Sequence, residues 1–167
     1  GRVTRLRLAS GAALSPGVVV NATGPRAALT AAMAGVTLPV EPRKRYSYVF
    51  DAAADLGRTL PLVIDPSGVH VRQEGAGFLA GCAPQPDPAT DPDDFAEDHA
   101  LWEDRVWPAL AARIPAFERI RLRHSGVGHY AVNTFDRNAL RGPHPELPNL
   151  LAACGFSGHG LQQGPAV

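Results

Sequence analysis

Residues 149 to 167 read NLLAACGFSGHGLQQGPAV, an apolar run followed by glycines at 155, 158 and 160 around Ser157 and His159. Glycine lets a backbone bend sharply and lets a flat ligand reach main-chain N–H groups without a Cβ in the way. A helix starting near Leu161 would put unpaired amide donors at the positive end of its dipole, a setting suited to a planar anion or a phosphate. A phosphate-cradling P-loop needs a Gly-Lys-Ser/Thr ending, which this turn lacks. A nucleophile elbow, G-x-S-x-G, matches at Gly155, Phe156 and Ser157, but His159 stands where the last glycine belongs. Serine hydrolysis by Ser157 and His159 therefore remains an alternative, as does a glycine-rich turn that holds nothing.

Other candidates are weaker. Arg45 and Arg72 fall on strand-like stretches and could grip a substrate carboxylate with a bidentate fork, although a solvated strand face is the plainer account of both. His70, His99, His124, His129 and His144 show no metal-ligand spacing, so no metal site is expected. Lys+Arg and Asp+Glu are both 16, which leaves no net field to draw nucleic acid or an anionic membrane. No apolar stretch is long enough to span a bilayer, and the start GRVTRLRLASG lacks a signal-peptide core. Cys82 and Cys154 are not in a CxxC spacing, so a reduced, cytoplasmic setting is expected.

The elements that must position the glycine turn have two textures. GVVVNATG, with consecutive β-branched residues at 18 to 20, reads as a short strand buried on both faces of a parallel sheet. Thr23 or Gly24 can cap the helix that follows, Pro25 suits its first turn, and Gly35 can end it. From Leu38 the pattern becomes antiparallel. KRYSYVFD puts Tyr46, Tyr48 and Phe50 on one strand face. PLVID, VHVRQ and GFLAGC follow, separated by DPSG and EGAG turns, as in a meander. The Pro- and Asp-rich PQPDPATDPDD reads as a loop that ends in a helix start at Pro92. Phe95, His99, Trp102, Val106 and Leu110 then recur at helical spacing, and Pro108 must kink that helix or begin another. RIRLRHSG alternates like a strand, and NLLAAC is a second buried strand. The order implies an α/β domain with an antiparallel α+β block inserted into it.

With those residues in view, PNLLAACGFSGHGLQQGPAV resembles the C-terminal signature of the D-amino-acid oxidase superfamily, which includes glycine and sarcosine oxidases. VVVNATGP resembles the strand and turn that lie beside the flavin in those proteins. LPVEPRKRY, PLVIDPSG, VWPALAARIPAFE and HYAVNTFDRNALRGPHP resemble a subgroup, the FAD-dependent oxidoreductase domain-containing proteins of the complex I assembly type. The resemblance covers nearly the whole chain. It implies a Rossmann-like FAD domain at 1–36 and 124–167, interwoven with an antiparallel-sheet substrate domain at 37–123. Such proteins hold the ADP half of FAD with a strand, a G-x-G-x-x-G turn and a helix. No G-x-G-x-x-G occurs here, so the chain is expected to be a C-terminal part whose ADP-binding part, or N-terminal half, is missing, with that half or an oligomer as its partner.

The implied chemistry is oxidation of a C–N bond in a small-molecule amine or amino acid, with FAD held non-covalently. Gly155, Phe156, Ser157, Gly158, His159, Gly160, Leu161, Gln162 and Gln163 would line the isoalloxazine, and Thr23 and Gly24 would lie nearer the middle of the cofactor. Tyr130 matches a tyrosine near the substrate in the sarcosine oxidase branch, and its hydroxyl could bind a carboxylate or an amine. Three departures stand out. Gln162 takes the place of a lysine that holds the substrate carboxylate, and an amide donates a hydrogen bond without charge. Leu79 and Ala83 take the places of a lysine and a histidine linked to oxygen reaction and substrate. The cysteine that anchors flavin covalently in that branch is replaced near Gly128. A missing cation beside the flavin should slow oxygen reduction, so a dehydrogenase is expected rather than an oxidase. The alternatives are a flavoprotein that serves in assembly or binding without turnover, and the serine hydrolase above.

Overall fold

The computed structural model describes residues Gly1–Val167 and divides into two compact units. One comprises Gly1–Arg43, Ala89–Pro92 and His129–Val167; the other comprises Lys44–Pro88 and Asp93–Gly128. The chain passes from one to the other within strands β4 (Val40–Ala52) and β8 (Ile120–Asn133), and returns briefly to the first unit at Ala89–Pro92.

The first unit is built on a three-stranded sheet in which β3 (Val19–Asn21) pairs parallel to β10 (Leu147–Cys154), and β10 pairs antiparallel to β9 (Leu140–His144). Its N-terminal segment forms a small hairpin of β1 (Leu6–Arg7) and β2 (Ala13–Leu14). The buried Asn149 ties that segment down: its Oδ1 accepts from the Val3 N–H and its Nδ2 donates to the Val3 and Gly17 carbonyls. Helix α1 (Ala27–Ala32) covers one face of the sheet. Ala27 and Ala31 are its buried residues; Ala27 packs with Val40 and Cys154, and Ala31 with Val36 and Leu150. Small side chains four apart let the helix lie close to the strands.

Two expectations about this region change. Thr23 does not cap α1: a 3-10 turn, Gly24–Arg26, precedes the helix, and the Thr23 hydroxyl bonds Asn21 Oδ1 instead. The β-branched run is not buried on both faces. Val18 and Val20 are 60% and 56% exposed, because β3 has a single strand partner and only the α1 face is covered. Gly35 ends the helix as expected, in the left-handed region at φ 73°.

The second unit holds a sheet in the order β5 (Val63–Ile64), β6 (His70–Glu74), β7 (Gly77–Gly81), β4, β8. The register sets Phe50 opposite Phe78 and Tyr48 opposite Ala80. Phe50 and Phe117 are fully buried, with Phe117 edge-on to both Phe50 and Phe78 at centroid distances of 5.2 and 4.8 Å. Trp102 fills the space beside Phe50 and Tyr48. Gly81 is required by close approach: a Cβ there would lie 2.4 Å from the Tyr46 carbonyl oxygen.

The helical segment starts later than Pro92. Asp98 is its N-cap, accepting from the Leu101 N–H, and Phe95 lies outside it, 57% exposed. Helix α2 (His99–Leu101) runs through a π-helical turn, Trp102–Val106, into α3 (Trp107–Arg113). The widened turn, with the Trp107 N–H bonded to the Trp102 carbonyl, comes immediately before Pro108. Proline has no N–H to continue an α-helical ladder, and an extra residue in the turn relieves its clash with the preceding carbonyls. Trp102, Val106 and Leu110 stay on the buried face.

At the turn before β6, the Asp65 carboxylate accepts from the Ser67 N–H and from Arg113. Those bonds, the Ser67 N–H first, hold its carboxyl at about 2, below the ordinary 3.8. A folded-state value below the unfolded one adds stability that is complete above the unfolded value and is lost as pH falls toward 2. Asp65→Asn should therefore flatten the loss of thermal stability between neutral and strongly acidic pH, measured by circular dichroism melts across that range.

Candidate functional site

Parallel neighbours end at the same edge of a sheet, the edge where open α/β sheets take up ligands. The register Leu150↔Val19 and Ala152↔Asn21 therefore brings the turn after β3 and the turn after β10 to one side. The first turn contains Gly24 at φ 56°, with open space where a Cβ would stand. Asn21, only 2% exposed, organises it: Nδ2 donates to the Ala27 carbonyl at 2.9 Å, and Oδ1 accepts from the Thr23 hydroxyl at 2.8 Å. Thr23 also meets Thr30 at 3.0 Å, so its hydroxyl is engaged within the turn.

The second turn, Gly155–Gly160, has Gly155 at φ 69°, Ser157 at φ 53° and Gly158 at φ 102°. Gly155 is buried tightly: a Cβ would lie 3.2 Å from Val40 Cγ2 and 3.4 Å from Asn133 Cβ. At Gly158 a Cβ would lie 2.4 Å from the Tyr130 ring, so the ring rests directly on that glycine. The Ser157 N–H bonds the Ala131 carbonyl at 2.9 Å, and the His159 N–H bonds the Phe156 carbonyl at 2.9 Å. The Ser157 hydroxyl accepts from the Asn133 N–H at 2.9 Å and reaches the Gly155 carbonyl at 3.2 Å. A left-handed backbone costs a non-glycine residue about 1–2 kcal/mol, and two hydroxyl bonds worth about 1 kcal/mol each offset it.

That geometry corrects the serine-hydrolase alternative. An activated serine donates its proton to a base. Ser157 donates to a backbone carbonyl, and the His159 imidazole is not among its hydrogen-bond partners.

Helix α4 (Gly160–Gln163) follows, with the Gln163 N–H bonded to the His159 carbonyl as its first helical bond. The amides of Gly160, Leu161 and Gln162 come before that bond and have no partner within the helix. Leu161 is 90% exposed, and the side chains of Gln162 and Gln163 are exposed as well.

Asn133, only 1% exposed, is the hub of this region. Its Nδ2 donates to Asp136 Oδ1 and the Asn138 carbonyl, while its Oδ1 accepts from the Phe135 N–H. The Asn138 backbone N–H, and then its side chain, hold the Asp136 carboxyl below its ordinary range. Asn133 thus fixes the polar loop after β8 with its side chain and the glycine turn with its backbone.

The structure therefore gathers Tyr130 and the turn residues Gly155 to Gly160 into one cluster, with Thr23 and Gly24 at the same sheet edge. Arg45 and Arg72 belong to the second unit. Arg45 holds Asp87 through two bonds of 2.9 Å, and Arg72 pairs with Glu74. A carboxylate ligand would have to compete with those partners. Burial pushes both the Cys82 and the Cys154 thiol upward, leaving Cys154 as part of the core under α1.

A family model described as FAD dependent oxidoreductase, DAO, matches residues 1–167. The FAD-dependent oxidoreductase domain-containing protein 1 of Bos taurus is 44% identical over 163 residues, covering 90% of this chain and 34% of that protein. The Mus musculus protein of the same name is 40% identical, with 90% of this chain and 34% of that protein covered. The chain thus spans about a third of the length of the curated relatives it matches. L-proline dehydrogenase from P. horikoshii superposes with a TM-score of 0.85 at 29% identity, covering 99% of this chain and 44% of that one. Glycine oxidase from Geobacillus kaustophilus shares the fold, with a TM-score of 0.82 at 22% identity over 97% of this chain and 42% of that one.

The contact between Gly158 and Tyr130 makes a prediction. Gly158→Ala should destabilise the chain by about 2 kcal/mol or more, through strain and overpacking together. Adding Tyr130→Ala removes the clash but not the strain, so the double variant should lose less than the sum of the singles in urea unfolding.

Proposed function

The chain belongs to the FAD dependent oxidoreductase family, and from that membership we propose that it is the C-terminal part of an enzyme oxidising the C–N bond of an amino acid or secondary amine, with FAD held non-covalently. The observation that carries this reading is the shared edge of β3 and β10, where both turns carry glycines at positive φ and the second bears the Tyr130 ring on Gly158. The fit is that of a flat ligand. Gly24 leaves open space, and the side chains of Thr23, Asn21 and Ser157 are turned to bonds within the protein. Within the two turns these three side chains are therefore engaged, and the ring system would be met chiefly by main chain.

When bound, FAD supplies the acceptor for a hydride from the carbon beside the substrate nitrogen. The residues of this chain would bind and orient. The amides of Gly160, Leu161 and Gln162 would hold the electron-rich edge of the ring system. Tyr130, with its ring fixed by Gly158, would offer its hydroxyl to the substrate carboxylate or amine. The Gln162 side chain would donate a hydrogen bond where a charged group would clamp a carboxylate more strongly. Leu79 and Ala83 stand at the positions where the sarcosine oxidase branch carries a lysine and a histidine linked to oxygen reaction and substrate, and the loss of that cation favours a dehydrogenase over an oxidase. The likeness to L-proline dehydrogenase supports the same reading.

The ADP half of the cofactor would be held by residues outside these 167, and those residues would cover the open face at Val18 and Val20. Titrated with FAD, the 167-residue chain should give no flavin quenching at micromolar protein, whereas the full-length protein should retain its flavin. Quenching by the chain alone would overturn that division of labour.

The activity is tested on the full-length protein under anaerobic conditions. Secondary amines and amino acids should bleach the flavin, and air should restore its colour only slowly. A flavin that no amine bleaches would instead favour a flavoprotein of assembly or binding. Rapid peroxide formation with sarcosine would favour an oxidase.

A further inference from the structure

We propose that Ser157 is the positioning residue of the glycine turn, a hydroxyl bridge that sets the backbone from Ser157 to Gly160 and with it the seat of the Tyr130 ring. The inference rests on the reading that this turn faces the flavin.

The geometry is that of an antiparallel ladder with one rung altered. Val132 and Phe156 form a bridge, and the Ser157 N–H bonds the Ala131 carbonyl on one side of it. In a regular ladder the rung on the other side would run from the Asn133 N–H to the Gly155 carbonyl. Here the Ser157 hydroxyl stands between those two groups, 2.9 Å from the Asn133 nitrogen and 3.2 Å from the Gly155 oxygen. A hydroxyl has a single proton to donate. With that proton on Gly155, Ser157 has no donor left for a ligand, so its role is exerted through the backbone.

Conformation points the same way. The neighbouring positions that need positive φ, 155 and 158, are glycines, while 157 takes φ 53° as a serine. Glycine would adopt that angle without strain. The hydroxyl is therefore what the position uses. It holds the turn onto the end of β8, where Asn133 also organises the 135–138 loop. One residue further on, Gly158 carries the Tyr130 ring, so a shift at Ser157 moves that ring's support.

The test uses the full-length protein with Ser157→Gly, which removes the bridge and eases the backbone, and Ser157→Ala, which removes the bridge and keeps the strain. In the flavin-free protein, amide exchange at Asn133 should quicken about tenfold in both, as expected for one lost hydrogen bond. With FAD, both should shift the visible absorption bands of the bound flavin and weaken FAD affinity about fivefold to tenfold. KM for the amine should rise by a larger factor than kcat falls. Ser67→Ala, which removes a hydroxyl from the turn before β6, should change none of these.

Unchanged exchange at Asn133 would overturn the bridge. Faster exchange with an unaltered flavin spectrum and affinity would reduce Ser157 to a structural residue and overturn its positioning role. A wild-type protein that takes up no FAD would overturn the flavin reading itself, and the inference with it, before any variant is compared. Failure of the variants in a wild-type protein that is yellow would count against Ser157 alone.

Discussion

Val19–Asn21 runs parallel beside Leu150–Ala152, and the candidate site depends on that pairing. It joins stretches from opposite ends of the sequence and makes both strands end at one edge. The register is held by the face beneath α1, where Leu150 meets Ala31 and Val36 while Cys154 meets Ala27 and Val40. A slip of one residue would turn Leu150 and Cys154 to the open face and bring their neighbours under the helix. The helix can approach only because Ala27 and Ala31 are small. Packing under α1 therefore determines where the two glycine turns lie.

What the sequence disclosed follows from how local each signal is. Tyr48 and Phe50 were legible as one buried strand face because alternation is a property of neighbours. Gly35 was legible as a helix end for the same reason. The helix start was misread because two signals compete within a few residues. Pro92 with its acids resembles a first turn, yet Asp94 pairs with Lys44 and accepts from the Ala96 N–H, leaving Asp98 to cap. The valine run misled differently: β-branched residues report a strand but not what covers it, and Val18 and Val20 face outward here. At the site, the glycines stood out by spacing. The bond from the Asn133 N–H to the Ser157 hydroxyl did not, because its partners are 24 residues apart and meet only through the fold.

The second unit resolves a conflict between a proline and a helix by changing the helix. Trp102, Val106 and Leu110 must share a face to complete the aromatic core around Phe50, Phe78 and Phe117. Pro108 interrupts the ladder between Val106 and Leu110. The π-helical turn takes up that interruption upstream, and the buried face continues through α3 without a break. The Trp107 indole then finds its partner in the Phe117 carbonyl at 3.1 Å, which fixes the segment after α3 against it.

The polar residues around the shared edge share a property with consequences for the chemistry. Asn21, Asn133, Thr23 and Ser157 all form bonds within the protein. Some of those bonds reach main chain directly and others join side chains within a turn, and together they turn these polar groups inward. A surface made of amides does not titrate, so an anion held by it would not show the pH dependence that a lysine would impose. It also cannot adapt, since a backbone donor moves only with its strand or turn. Such a site has to be exact in position where a charged one can be approximate. The cost is a dense internal network, with two buried asparagines and a strained serine supporting a few bare donors.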